Sequence, residues 1–228
     1  MSTAERSTPQ HPEPPLRWSL VVPVKVLARA KTRMSGAAGP HREALALAVA
    51  ADTVAAALRC DRVRRVIVVT DDPVPAAELA ALGARIVPDE PDAGLNPALV
   101  HGASRGREDA PGDGVGAVSA DLPALRPGEL ARVLDAAAGW PEAFVPDAAG
   151  IGTTLYTARP GVPFSPAFGQ DSRAAHRARG ARELLPGDID SVRRDVDTLD
   201  DLRAALALGT GPRTAAVAEL LPAFRASA

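Results

Sequence analysis

The chain has 228 residues, of which 46% are hydrophobic, and this is enough for one α/β domain with a buried core. The formal net charge is -2, so the composition does not predict a basic surface that binds nucleic acid. Cys60 is the single cysteine, which excludes an intrachain disulfide, and it cannot form a zinc site alone. No apolar stretch is long enough to span a bilayer, and the charged, proline-rich N-terminus lacks the apolar core of a signal peptide. We therefore expect a cytoplasmic protein that contacts neither membranes nor nucleic acid.

The distribution of prolines, charges and apolar runs predicts three segments. Residues 1–17 carry prolines and charges without apolar periodicity, and we expect them to be a disordered tail. Residues 18–210 are expected to form a single domain, and residues 211–228 a C-terminal helix and tail packed on its outside.

The first half of the chain alternates short apolar runs with longer helical segments. Strands are predicted over residues 18–25, 65–70, 84–88 and 115–120. Helices are predicted over residues 42–59, 75–82, 96–105 and 127–138. Such alternation is typical of a mostly parallel sheet covered by helices on both faces, a three-layer α/β/α fold.

The second half is less regular. Short β-like runs are predicted at residues 143–146, 153–157 and 192–196, separated by long loops. Thr198 is expected to cap a helix over residues 198–208, and a last helix is predicted at 212–224. We interpret this half as a substrate-binding addition to the sheet.

One motif points to a different enzyme class. Gly102 to Gly106, in the sequence GASRG, matches the G-x-S-x-G elbow of serine hydrolases, and Asp147 and His176 follow in triad order. The elbow must connect a strand to a helix, whereas the preceding LNPALVH is typical of a helix. The hydrolase therefore stays a minor alternative.

A cationic cluster follows the first predicted strand. Lys25, Lys31 and Arg33 lie in PVKVLARAKTRMSG, and the chain contains no other lysine. Lysine acts as a point charge and arginine as a fork for phosphate groups, so this loop is suited to a nucleoside triphosphate. The alternative is a solvated basic loop, but Lys25 continues a buried strand directly.

An acidic cluster is spread over two distant segments. Asp121 ends the apolar run VGAVSADLP, which places it at the carboxyl end of a strand, where ligands bind in open α/β sheets. Asp195 and Asp197 in RRDVDTLDD would share one face if their segment were a strand. These carboxylates suit a divalent cation that carries substrate phosphates, although Asp121 could instead cap a helix.

Two further segments are rich in backbone N–H groups and hydroxyls. They are residues 150–154, GIGTT, and residues 168–172, FGQDS, where a helix is expected to start near Asp171 and Ser172. Small anions bind at such places because unpaired N–H groups favour negative charge. A simple turn followed by an N-cap is the alternative.

Taken in order, the motifs resemble one enzyme family: VPVK…AKTRMSG, IVVTDD, DEPDAGLNPAL, VSADLP, GTTLYT, FGQDS and RDVDTLDDL. The family is the phosphoenolpyruvate and 2-phospho-L-lactate guanylyltransferases, which make the activated precursor of the deazaflavin cofactor F-420. The resemblance runs from about residue 19 to about residue 209. It implies a Rossmann-like fold of the nucleotide-diphospho-sugar-transferase type. The glycine-rich first loop of the related molybdenum-cofactor nucleotidyltransferases is replaced by VPVK here.

The resemblance also implies roles for individual residues. Lys25 and Asp121 would be catalytic. The GTP-binding residues would be Lys25, Lys31, Arg33 and Asn96. The acceptor-binding residues would be Thr154, Gly169 and Ser172. Mg²⁺ would be bound by Asp121 together with Asp195 or Asp197, between which the sequence does not choose.

The implied reaction transfers GMP from GTP to phosphoenolpyruvate or 2-phospho-L-lactate and releases pyrophosphate. The alternatives are a nucleotidyltransferase acting on molybdopterin or sugar phosphates, the serine hydrolase, and a non-catalytic GTP-binding module. The sequence leaves the choice of acceptor open, and it allows a homodimer.

Overall fold

A single mixed sheet organises the described part of the chain, which comprises residues 14–27, 38–90 and 92–224 of this computed structural model. Its strands are β1 (Trp18–Pro23), β2 (Val63–Val69), β3 (Arg85–Val87), β4 (Gly114–Val118), β5 (Glu142–Pro146), β6 (Thr153–Ala158) and β7 (Arg182–Glu183). They follow the order β3-β2-β1-β4-β6-β5-β7. Neighbours run parallel except around β6, which is antiparallel to both β4 and β5. The predicted mixed, mostly parallel sheet is confirmed.

Helices cover both faces of this sheet. They are α1 (Arg42–Leu58), α2 (Pro73–Ala81), α3 (Leu95–Asp109), α4 (Pro127–Ala137), α5 (Ser172–Ala178), α6 (Asp190–Arg193), α7 (Leu199–Leu208) and α8 (Pro212–Ala218). Successive residues of β1 point to opposite faces. Leu20 belongs to an apolar cluster with Val54 of α1 and Leu130 of α4, whereas Val21 packs in a second cluster with Leu99 of α3. The three-layer architecture is confirmed.

The G-x-S-x-G motif lies inside α3 and is a packing feature. A Cβ atom added at Gly102 would come within 2.6 Å of Val21 Cγ1, and one at Gly106 within 3.1 Å of Ile67 Cδ1. Ser104 Oγ donates to the backbone carbonyl of His101, three positions earlier in the same helix, at 2.7 Å. A serine in the interior of a helix is not a nucleophile elbow, so the structure contradicts the hydrolase alternative.

The last helix packs on the first. Asp52 of α1 is buried, and its carboxylate accepts hydrogen bonds from the backbone N–H groups of Arg213 at 3.3 Å and Thr214 at 2.7 Å. Gly211 leaves the space for this carboxylate, because an added Cβ would lie 2.3 Å from Asp52 Cγ. The helix predicted at 212–224 is shorter than expected and is followed by a 3-10 turn at Pro222–Phe224.

The predicted strand at 192–196 is wrong. This segment contains the end of α6 and an irregular stretch that leads into α7. Val192 and Val196 are both buried, but in two different apolar clusters, so they do not form one face of a strand. The turn is fixed instead by Glu129 of α4, whose carboxylate accepts hydrogen bonds from the N–H and Oγ of Ser191 at 2.9 and 2.7 Å.

The predicted N-terminal tail falls mostly outside the described residues. Its described part includes Leu16, which packs against the core, and Arg17, which donates to the carbonyl of Val63 at 3.3 Å. Within the described ranges, no helix has both the length and the apolar character needed to cross a membrane.

Candidate active site

A cleft of about 410 Å³ opens where β1 and β4 end. Lys25 and Leu27 line it from the segment after β1, and Ser119 and Asp121 line it from the segment after β4. Asp197 faces the same space. The structure thus brings the predicted lysine and two of the predicted acids to the carboxyl edge of the sheet, where α/β folds bind ligands.

Lys25 sits on a backbone that is fixed on both sides. The N–H of Val24 donates to the carbonyl of Val69 at 3.0 Å, and the N–H of Leu27 donates to Asp72 Oδ2 at 2.9 Å. Arg42 Nη1 donates to the Leu27 carbonyl at 3.2 Å. The Lys25 side chain is exposed, so its charge is available to the cleft. Lys31 and Arg33, the other predicted cations, lie outside the described residues.

Asp121 is held by its backbone neighbours. The N–H of Ser119 donates to the carbonyl of Thr154 at 2.8 Å, and the N–H of Leu122 donates to Thr53 Oγ1 at 3.0 Å. The N–H of Val196 donates to the carbonyl of Asp121 itself at 3.0 Å. This last bond joins the two predicted acidic segments and places Asp195 and Asp197 on either side of it.

The carboxylates in this region repel one another. Burial, together with the negative charges of Asp121, Asp147 and Asp197, raises the pKa of Asp195 to about 7. A divalent cation would relieve both effects, because it stabilises the ionised carboxylate. The donor set therefore fits a divalent cation.

The described side chains do not form a complete cation site by themselves. Within the described ranges, no group of three or more His, Cys, Asp or Glu side chains is arranged to enclose a metal ion. Mg²⁺ commonly uses one or two carboxylates together with water and substrate phosphates. Two aspartates completed by phosphate oxygens would match that pattern.

The predicted acceptor residue Thr154 lies at a bulge. Val145 pairs with Leu155 and Pro146 pairs with Thr153, so Thr154 is the extra residue of β6. Its side chain is 1% exposed, and among the described residues its Oγ1 has no hydrogen-bond partner. Bulges next to active sites commonly redirect side chains, and the role of Thr154 in binding the acceptor stays a prediction.

The second acceptor segment is an irregular turn that leads into α5. Gly169 has φ +142° and Asp171 has φ +54°, both in the left-handed region. Ser172 is buried and begins α5, which confirms the expected helix start. Asn96 of α3 donates from Nδ2 to the Phe168 carbonyl at 2.9 Å and accepts at Oδ1 from the Phe168 N–H at 2.8 Å. Asn96 therefore anchors this turn, and its contact with the nucleotide stays a prediction.

Sequence comparison decides the family. A profile of the MobA-like NTP transferase domain matches residues 44–196, which contain every described strand except β1 and include Asp121 of the cleft. The chain belongs to the MobA-like NTP transferases.

Relatives of this NTP transferase share most of its length. A protein from Thermomonospora curvata named phosphoenolpyruvate guanylyltransferase is 74% identical over 209 residues, covering 92% of this chain and 92% of that protein. A protein of the same name from Streptosporangium roseum is 63% identical over 202 residues, covering 89% and 90%. The family resemblance inferred from the order of motifs is confirmed.

Solved structures agree at the level of the fold. A provisionally assigned nucleotide-diphospho-sugar transferase from Desulfovibrio desulfuricans G20 superposes with a TM-score of 0.58 at 18% identity, covering 84% of this chain and 96% of that chain. The likeness confirms the predicted fold type.

Two further residues of this NTP transferase lie next to the predicted site segments, and the sequence pattern predicts neither position. Asp147 fits only a hydrolase triad in the sequence, yet its negative charge contributes to the raised pKa of Asp195. His176 is fully buried between the rings of Phe144 and Tyr156, beneath the Phe168 turn. Its Nε2 accepts from the Ala167 N–H at 2.9 Å, so the imidazole is neutral and protonated on Nδ1.

The neutral state of His176 predicts a pH-dependent stability. Burial lowers its pKa from 6.5 to about 4. Its contribution to folding is complete above pH 6.5 and is lost as the pH falls toward 4, because the unfolded chain then binds the extra proton. Replacing His176 by Asn removes this titration. The difference in unfolding free energy between wild type and His176→Asn should therefore narrow by roughly 2 kcal/mol from pH 7 to pH 5.

Urea unfolding at several pH values measures this difference. The comparison must use the difference between the two proteins, because Asp195 also titrates between pH 5 and 7. Its raised pKa makes the protein more stable as the pH falls, and this contribution is the same in both proteins and cancels in the difference. A pH-independent difference for His176→Asn would contradict the prediction.

Proposed function

We propose that this protein transfers GMP from GTP to phosphoenolpyruvate and releases pyrophosphate, in the synthesis of cofactor F-420. The hydrogen bond from Val196 N–H to the Asp121 carbonyl carries the proposal, because it gathers the acids at the cleft that Lys25 lines. A divalent cation and a lysine in one cleft would offset the repulsion between GTP and a phosphorylated acceptor, which are both polyanions. The names of the relatives at 74% and 63% identity support guanine as the base and phosphoenolpyruvate as the acceptor.

The GTP phosphates would be bound by Lys25, Lys31 and Arg33. Asp121, with Asp195 or Asp197, would hold Mg²⁺, which supplies positive charge to the phosphates when bound. Because the acceptor phosphate is already ionised at neutral pH, no strong general base is required. The protein instead has to hold the acceptor oxygen in line with the α-phosphorus and to offset the repulsion between the two reactants.

The acceptor would bind between the turn that precedes Thr154 and the turn of Gly169 and Ser172. The unpaired Oγ1 of Thr154 and the backbone N–H groups of the left-handed turn support this assignment. The acceptor 2-phospho-L-lactate would occupy the same space. We further propose that residues 18–210 form one catalytic domain and that the protein is cytoplasmic. We also propose that it forms a homodimer, which light scattering would test.

A substrate panel tests the proposal. The purified protein with Mg²⁺ would be given each nucleoside triphosphate with phosphoenolpyruvate, 2-phospho-L-lactate or 3-phosphoglycerate, and pyrophosphate release would be measured. GTP with phosphoenolpyruvate should react best, and chelation of the cation should stop the reaction until Mg²⁺ is restored. Preference for 2-phospho-L-lactate would change the acceptor. GTP binding without pyrophosphate release from any acceptor would instead indicate a non-catalytic binding module.

A further inference from the structure

The turn between β5 and β6 is fixed from inside by Asp147. Its carboxylate accepts hydrogen bonds from the N–H groups of Ile151 at 2.9 Å and Gly152 at 2.7 Å. Gly150 at the tip has φ +73°, a conformation that favours glycine. Because Thr154 follows directly, the position of this turn decides where the bulge of β6 lies.

Arg173 fixes the same turn from outside. Its backbone N–H donates to the Ile151 carbonyl at 3.1 Å, and its Nη1 donates to the Gly150 carbonyl at 2.8 Å. The guanidinium lies directly over the glycine, since a Cβ added at Gly150 would be 3.0 Å from Nη1. Arg173 follows Ser172 in the first turn of α5, so one residue links the two segments of the proposed acceptor site.

The guanidinium is itself held in place by β7. Arg173 Nε and Nη2 donate to the two carboxylate oxygens of Glu183 at 3.1 and 2.7 Å, and Glu183 is mostly buried. Such a two-pronged pair fixes the orientation of both groups, which a lysine could not do. The remaining nitrogen, Nη1, donates to the turn. The planar guanidinium therefore sets the distance between α5 and the turn.

We propose that Arg173 is a positioning residue that sets the spacing between the Gly150 turn and the start of α5, and thereby aligns the acceptor. This inference rests on the proposed function. Arg173 touches neither the cleft-lining lysine nor the acids in the described contacts, so its effect should fall on the acceptor and not on GTP.

Arg177 provides a matched control. Its Nε contacts the same Glu183 carboxylate at 2.7 Å, and none of its described contacts reaches the turn. Arg177→Ala thus removes one arginine from the same ion-pair network but leaves the Gly150 contact in place.

Steady-state kinetics of Arg173→Ala, Arg173→Lys and Arg177→Ala test the proposal, with melting temperatures measured alongside. For both Arg173 variants, KM for phosphoenolpyruvate should rise about tenfold or more while KM for GTP stays near wild type. Arg177→Ala should keep both KM values. A residue that only supports folding would lower the active fraction and hence kcat, without changing either KM.

Three results would overturn the proposal. If wild type transfers GMP to phosphoenolpyruvate and the Arg173 variants have the wild-type KM for phosphoenolpyruvate, the positioning role is wrong and the proposed function stands. If Arg177→Ala raises that KM as much as Arg173→Ala does, the effect belongs to the ion-pair network and not to the turn contact. If wild type itself shows no transfer to phosphoenolpyruvate, the proposed function fails, and the positioning role fails with it.

Discussion

Asp121→Asn should strongly slow nucleotidyl transfer and leave the fold intact. The substitution removes a carboxylate from the proposed cation site at the cleft but keeps the backbone bonds of Ser119, Leu122 and Val196 that hold the segment. By analogy with the loss of one preorganised electrostatic partner, kcat should fall by a factor on the order of 100 or more, equivalent to about 3 kcal/mol. The rate of pyrophosphate release in the reaction of GTP with phosphoenolpyruvate measures this loss.

The same variant should also lose its response to the cation. Asp121 is one of the two carboxylates proposed to hold Mg²⁺, so the rise in melting temperature that Mg²⁺ gives to wild type should disappear. Asp200→Asn is the control, because Asp200 is an exposed acid of α7 paired with Arg203. Near-wild-type turnover in Asp121→Asn would exclude a metal role for this residue.

Gly102→Val should destabilise the protein strongly. Even a single Cβ at this position would lie 2.6 Å from Val21 Cγ1 and 2.8 Å from Val69 Cγ2. Both valines are buried in strands and are stiff about χ1, so α3 must move away from the sheet. We expect a loss of about 3 kcal/mol, which for a chain of this size is a fall of roughly 6–12 °C in melting temperature.

Gly128→Val is the matched control for this prediction. Gly128 also lies in a helix, α4, but nothing within 4 Å would meet an added Cβ. Its stability should stay within about 0.5 kcal/mol of wild type. Calorimetry of the two variants therefore separates packing against the sheet from the helix propensity of valine. Equal stability of the two variants would mean that α3 is not closely packed on β1.

The strands were predictable because a strand that is buried on both faces consists of consecutive apolar residues. β1 and β4 are examples, and their carboxyl ends located the cleft residues Lys25 and Asp121 correctly. The segment at 192–196 failed for a related reason. Val192 and Val196 are both apolar and both buried, but the sequence does not show that they enter separate clusters.

The supporting contacts of the site were not predictable, because they join residues far apart in sequence. Asn96 binds the backbone of Phe168 across 72 positions, and Leu122 binds Thr53 across 69. Local patterns report periodicity and turn chemistry, which found the start of α5 at Ser172. They carry no information about which distant carbonyl an amide or guanidinium will meet.

The burial of Asp52 has a consequence for protein synthesis. The N–H groups that satisfy its carboxylate lie 161 and 162 residues further along the chain. During translation, α1 leaves the ribosome long before those donors exist, so its final packing must wait for α8 to emerge. We expect the native packing of α1 to form only after α8 has left the ribosome, and a gene shortened before the codon for Gly211 to yield an unstable product.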